Sequence, residues 1–188
     1  MVKFSVIYDA CVLYPAPLRD LLMQLALTDL FKARWTDQIH DEWIDALLRR
    51  DKYDRRILER TRDLMDVSVR DAKVFGYEEL INALVLPDPD DRHVLAAAIK
   101  AGANAIVTFN LKDFPGDVLS TYGIEAIHPD EFVYSQIDLA PAIACGAIKR
   151  QRESLKNPPK AKDEFLAILQ KQQLPQTVSA LRAYIELI

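Results

Sequence analysis

Apolar residues fall into three short runs, and the first two stop abruptly at a polar residue. "KFSVIY" ends in Asp9, "NAIVTF" ends in Asn110, and "GIEAI" follows. Runs this short and this apolar read as strands of a buried sheet. "ARW" reads as a further short strand. Helical periodicity fills the gaps. "PLRDLLMQLALTDLF" is one helix, and Thr36 caps a second through "DQIHDEWIDALLRR". "DKYDRRILERTRDLM" is a third, charged helix, followed by "VSV" as a minor strand or a turn. "YEELINAL" reads as helical and is stopped by Pro87. "RHVLAAAIKA" is a helix with Gly102 just beyond it as its stop. "PDEFVY" opens another helix with Pro129 in its first turn. Strands separated by helices predict an α/β sandwich with a mostly parallel sheet. After Tyr134 the strand pattern disappears. Residues 135–188 read as three helices with breaks at "NPP" and near Pro175. The expected organisation is therefore an α/β domain over 1–134 and an all-helical C-terminal extension over 135–188.

Composition narrows the class. The chain has 188 residues, half of them hydrophobic and 28% charged, as expected of a globular protein with a real core. No stretch of about 18 apolar residues exists, so no membrane span is expected. "MVKFSVIYD" reaches a charge too soon for a signal peptide. Two cysteines, Cys11 and Cys145, make neither a disulfide framework nor a metal motif, so a reducing cytoplasm is expected. Residues 1–134 carry 23 acids against 16 bases, whereas residues 135–188 carry 5 against 8. A basic tail on an acidic body can face a polyanion weakly.

The carboxylates carry the candidate chemistry. In open parallel sheets ligands bind outside the carboxyl ends of the strands. If the first and second apolar runs are neighbours, Asp9, Asn110 and Asp113 converge on one rim. Asp88, Asp90 and Asp91 crowd the start of the alanine-rich helix, whose N-terminus must lie at that same rim. On a helical wheel Glu42 stands about 60° from Ile39 and about 40° from Ala46, at the border of the apolar arc. Asp41 and Asp45 point away. Two such charges about 4 Å apart repel by roughly 4 kcal/mol at an effective dielectric of about 20. A hard dication among them, Mg²⁺ or Mn²⁺, resolves the conflict. Taken singly, Asp91 reads as a helix cap, Asp88 and Asp113 as turn residues, and Asn110 as a strand end.

The blocks "VIYDACVL", "TDQIHDEW", "DPDDRHVLAAAIKAGANAIVTFNLKDFP" and "GIEAIHPDEFV" together resemble the PIN-domain family, and more narrowly its VapC-type toxin ribonucleases. The resemblance covers roughly residues 3–134 and implies a PIN-like three-layer sandwich. It implies Mg²⁺- or Mn²⁺-dependent hydrolysis of RNA phosphodiester bonds. Asp9, Glu42 and Asp91 match its acids, with Asp90 as the alternative to Asp91. The last acidic position belongs to Asn110 or Asp113, and Thr108 matches a supporting hydroxyl. Ala10 stands where a Thr or Ser often follows the first aspartate, so Thr108 or a backbone group is expected to take over. The resemblance implies that basic residues around the rim set RNA specificity. Candidates are Arg49, Arg50, Lys52, Arg55 and Arg56, with Lys149, Arg150 and Arg152 in the extension. It also implies a small cognate antitoxin, homodimers, and a partner groove among Leu21, Leu22, Leu25, Ile44, Leu47 and Leu48. A longer toxin subgroup carries a helical extension like this one.

Three rival readings draw on the same residues. A receiver-type phosphoacceptor domain needs paired acids after its first strand and a late lysine, and neither is present. A phosphatase with an aspartate nucleophile needs a second Asp where Cys11 stands. A non-catalytic scaffold of the same fold, binding RNA or protein, is favoured only by Asn110.

Overall fold

The computed structural model describes residues 3–50 and 53–188. They divide into two compact units. One comprises residues up to Tyr14 and Phe31–His128, and the other comprises Pro15–Leu30 and Pro129–Ile188.

The first unit is built on a four-stranded, all-parallel sheet. β1 (Ser5–Tyr8) is completely buried, because both faces of a parallel sheet are covered by helices. A single-turn helix α1 (Ala10–Leu13) follows directly. β2 (Lys32–Arg34) and β3 (Ala105–Val107) flank β1, and β4 (Glu125–Ile127) closes the order β2-β1-β3-β4. Ile7 pairs with Arg34 on one side and Ile106 on the other. Tyr8 stands opposite Val107, and the Asp9 amide donates to the Val107 carbonyl at 3.1 Å. The carboxyl ends of β1 and β3 are therefore level, so the residues that follow each strand share one rim.

Helix α3 (Asp37–Leu48) begins where expected. Thr36 Oγ1 accepts the Ile39 amide at 3.1 Å, and Ile39, Trp43, Ile44 and Leu47 turn inward. Asp54 caps α4 (Arg55–Ser68). Helix α6 (Arg92–Ala101) packs on β1 and β3, and its small residues Ala96, Ala97 and Ala98 are fully buried. It stops at Gly102, whose φ of 57° is the left-handed conformation that suits glycine.

Two predicted elements differ. The helix expected over "YEELINAL" shrinks to α5 (Glu78–Ile81). Beyond it Leu84 and Leu86 are buried and Val85 exposed, an alternation that belongs to extended chain rather than helix. "VSV" supplies no strand: Val67 and Ser68 end α4 and Val69 is its cap. The expected minor pairing forms later, where Trp35 bridges Lys73 in parallel and exchanges backbone hydrogen bonds with Ala72 and Val74. A short helix α7 (Gly116–Ser120) precedes β4.

The second unit is helical. It contains α2 (Ala16–Ala26), α8 (Pro129–Leu139), α9 (Pro141–Ser154), α10 (Lys162–Lys171) and α11 (Pro175–Ala183). Helix α2 packs on α9, where Gln151 Nε2 donates to the Pro17 carbonyl at 2.8 Å. Asp130 is buried and caps α11, accepting the Gln176 and Thr177 amides at 2.9 and 2.8 Å. The three helices expected after residue 134 are α9, α10 and α11. The boundary expected there falls inside α8, and α2 groups with the helices of the second unit although it precedes β2. Among the described residues no helix is long and apolar enough to cross a membrane.

Candidate active site

A cavity of about 350 Å³ opens at the rim formed by β1 and β3. It is lined by Asp9, Ala10, Cys11, Tyr14, Glu42, Trp43, Ala46, Asp91 and Asn110. Four segments far apart in the chain thus bring Asp9, Glu42, Asp91 and Asn110 to one space.

Asp9 is buried, and as the residue before α1 it makes no side-chain cap with that helix. Thr108 Oγ1 donates to its Oδ2 at 2.7 Å, and the Cys11 thiol donates to the same oxygen at 3.0 Å. Thr108 in turn accepts the Asn110 amide at 3.0 Å, so the loop after β3 and the end of β1 are tied through one carboxylate. Thr108 thus holds Asp9 in a chain with Ala10 at the following position. Cys11 accepts the Phe109 amide at 3.3 Å. Its thiol pKa is raised strongly by burial and then by the Asp9 charge, so it stays protonated and serves as a hydrogen-bond donor.

The crowded aspartates divide their labour. Asp88 Oδ1 accepts the Asp90 amide at 2.9 Å and caps the 3-10 turn Pro89–Asp91. Asp90 is exposed and does not line the cavity. Asp91 stands at the head of α6 without a side-chain cap bond, which leaves its carboxyl to the cavity. Burial, followed by the charges of Asp9, Asp88, Asp113 and Glu42, raises the Asp91 pKa from 3.8 to about 7. Asp113 lies in the loop after β3 and is felt through its charge, but it does not line the cavity; Asn110 does.

Glu42 reaches the cavity from α3, whereas Asp45 is turned outward and pairs with Arg55 at 3.0 Å. Beside Glu42 lies His93, a residue that sequence reasoning missed. It is 2% exposed, and its Nε2 stands 2.6 Å from Glu42 Oε1. The two groups are in close contact without an aligned hydrogen bond, since neither ring nitrogen finds a partner of good geometry. A lone His in an alanine-rich helix reads as core, and only the Glu42 contact reveals it.

Behind the cavity wall a buried network fixes Trp43. Its indole N–H donates to His40 Nδ1 at 3.0 Å, and His40 Nε2 lies 3.1 Å from Asp66 Oδ1. The Trp35 indole donates to that same oxygen at 2.8 Å. Because Nδ1 accepts, the proton of neutral His40 sits on Nε2. Burial is the main cause of the lowered His40 pKa, partly opposed by Asp66. A depressed folded pKa contributes stability that is present above the unfolded value and lost as pH falls through the folded one. Tryptophan fluorescence should therefore report loosening of Trp43 with a midpoint below pH 6.5. His40→Asn should remove that transition, and an unchanged pH profile would refute the role given to His40.

The basic candidates scatter. Arg50 lies over the Tyr14 ring at 5.3 Å from its centroid. Arg49 contacts the Asp45 carbonyl, Arg55 is paired with Asp45 and Glu59, and Arg56 is exposed. Lys52 lies outside the described residues. In the second unit Lys149 pairs with Glu153, Arg150 reaches Gln24, and Arg152 binds the Lys160 carbonyl. An apolar partner groove was expected among Leu21, Leu22, Leu25, Ile44, Leu47 and Leu48. The first five are buried and Leu48 is half-buried.

Among the described residues no three His, Cys, Asp or Glu side chains form a ready-made metal cluster. The donors at the cavity are nevertheless carboxylate and amide oxygens. That set suits a hard dication bound by one or two direct carboxylates with waters completing its shell.

The PIN domain family matches residues 5–112, more than half of the chain and the part that contains every cavity residue. The VapC50 C-terminal domain matches residues 129–183, beginning where α8 begins. A Mycobacterium tuberculosis protein named "Putative ribonuclease VapC50" is 40% identical over 111 residues, which cover 59% of this chain and 64% of that relative. The match thus spans a little under two thirds of the relative's length. No solved structure matches. The chain belongs to the PIN-domain family.

Proposed function

We propose that this chain is a Mg²⁺- or Mn²⁺-dependent ribonuclease that hydrolyses RNA phosphodiester bonds. One observation carries the reading. Asp9, Glu42 and Asp91, from three separate segments, wall a single cavity in which one carboxyl is pushed to about 7 by burial and by its acidic neighbours. Such crowding is costly unless a cation is expected there. When bound, a divalent cation supplies neutralisation of phosphate charge and activation of a water. Asp9 and Asp91 are the residues that would hold it, Asp9 being fixed in orientation by Thr108 and Cys11. Glu42 orients the attacking water and accepts its proton, with His93 Nε2 standing 2.6 Å from its carboxylate. Asn110, which also lines the cavity, would donate through its side-chain amide to a phosphate oxygen.

The relative's name and the matched C-terminal domain support a further assignment, to the toxin of a type II toxin–antitoxin pair in the cytoplasm. A small antitoxin would silence it by placing a cationic side chain among the acids, and homodimers belong to the same reading. The ribonuclease assignment is tested by incubating the protein with single-stranded RNA, with and without Mn²⁺. Cleavage should require the cation and stop in excess chelator. Cleavage that persists in chelator would overturn the mechanism. Growth arrest on expression, relieved by a small adjacent open reading frame, tests the toxin assignment.

A further inference from the structure

We infer that Tyr14 and Arg50 form a stacking platform that seats a base and an adjacent phosphate of single-stranded RNA beside the acidic cavity. The inference rests on the ribonuclease reading and names the part of the site that grips the strand. Tyr14 caps the end of α1, five residues after Asp9, and lines the cavity. Arg50 lies just beyond the end of α3, and its guanidinium sits 5.3 Å from the centre of that ring. Among the described residues that guanidinium makes no hydrogen bond or ion pair, whereas Arg55 is committed to Asp45 and Glu59. The cation–π contact holds the Arg50 guanidinium beside the ring without consuming its donors.

The electrostatics require such a group. A cavity walled by Asp9, Glu42 and Asp91 repels a polyanion, so part of the grip must come from cations and aromatic faces at its edge. An aromatic ring carrying an arginine plane offers both: a π surface for an unstacked base and N–H donors for a phosphate. A base paired within a duplex cannot lie on this surface, so the platform selects single strands.

The test is equilibrium binding of a short fluorescein-labelled single-stranded RNA, read by anisotropy. All variants are made in the cleavage-silent Asp9→Asn background. Arg50→Ala and Tyr14→Leu should each weaken binding about tenfold, the scale of losing one stacked base. Arg50→Ala should also lower the slope of log affinity against log salt by about 0.7, one phosphate contact on a single strand. The double variant should be little weaker than either single one, because the two groups act as one surface. Lys171→Ala, which removes the same charge from the exposed face of α10, should leave the slope unchanged. Retained binding in Arg50→Ala, which alters an exposed side chain and so spares the fold, would overturn the inference, as would an equal slope change in Lys171→Ala. Binding needs no turnover, so the two readings fail separately. A chain that cuts no RNA yet shows these losses keeps the platform and discards the ribonuclease.

Discussion

Asp91→Asn should make the cation-free protein more stable at pH 8 and, in the same step, abolish RNA cleavage. The two effects share a cause. The Asp91 pKa is raised to about 7 by burial and by the surrounding carboxylates. A raised folded pKa contributes stability that is complete below the unfolded value and lost as pH rises through about 7. Above that pH the fold carries a charge it resists, and Asn removes it. For a half-buried carboxyl, solvent screening leaves roughly 1–2 kcal/mol of the effect. That corresponds to a rise in Tm of about 2–8 °C for a chain of this length. The gain should vanish near pH 4, where the parent carboxyl is also neutral. A variant that loses activity without gaining stability at pH 8 would mean that Asp91 is not under the strain assigned to it.

Asp9→Asn should reduce cleavage by at least about 10²-fold, the scale of removing one preorganised electrostatic group from an active site. The reason is geometric. Thr108 and Cys11 both donate to one oxygen of Asp9. Asn has a single oxygen, which must take that place, so its NH₂ replaces the carboxylate oxygen left for a cation. The hydrogen bonds that tie β1 to the loop after β3 survive, and so should the fold. Asp9→Ala is the poorer probe, since it strands both donors at a cost of about 1–3 kcal/mol. Steady-state cleavage rates at equal Mn²⁺, with circular dichroism as the control for folding, measure the difference. Activity close to that of the parent would remove Asp9 from the mechanism.

Much of this site was legible along the chain because its acids follow apolar runs. A strand that ends in Asp9 and another that leads through Thr108 to Asn110 meet on one rim as soon as the two strands are neighbours, as β1 and β3 are. Glu42 was separable from Asp41 and Asp45 by its place on the wheel, and it alone of the three lines the cavity. The choice between Asp90 and Asp91 was not legible. It depends on the 3-10 turn over Pro89–Asp91, which spends Asp88 on the Asp90 amide and leaves Asp91 to face inward. Spacing alone does not distinguish that turn from the first turn of an α-helix. Tyr14 and Cys11 carry no signal along the chain, because α1, a helix of four residues, is too short to leave a periodic one. His93 and Glu42 are distant in sequence, and nothing local links them. The helices over "PLRDLLMQLA" and "RHVLAAAIKA" were both readable, yet their periodicity does not tell which joins the sheet and which joins the helical unit. Packing partners decide that.

Direct binding of Mn²⁺, followed by the loss of free-ion signal in electron paramagnetic resonance, reaches the centre of the account without any assumption about substrate. The parent protein should take up the ion at pH 8, and Asp9→Asn and Asp91→Asn should each weaken that uptake by at least about tenfold. Equal uptake by the parent and both variants would mean that the cavity between β1, α3 and α6 is not where a cation sits, and the proposed chemistry would fall with it.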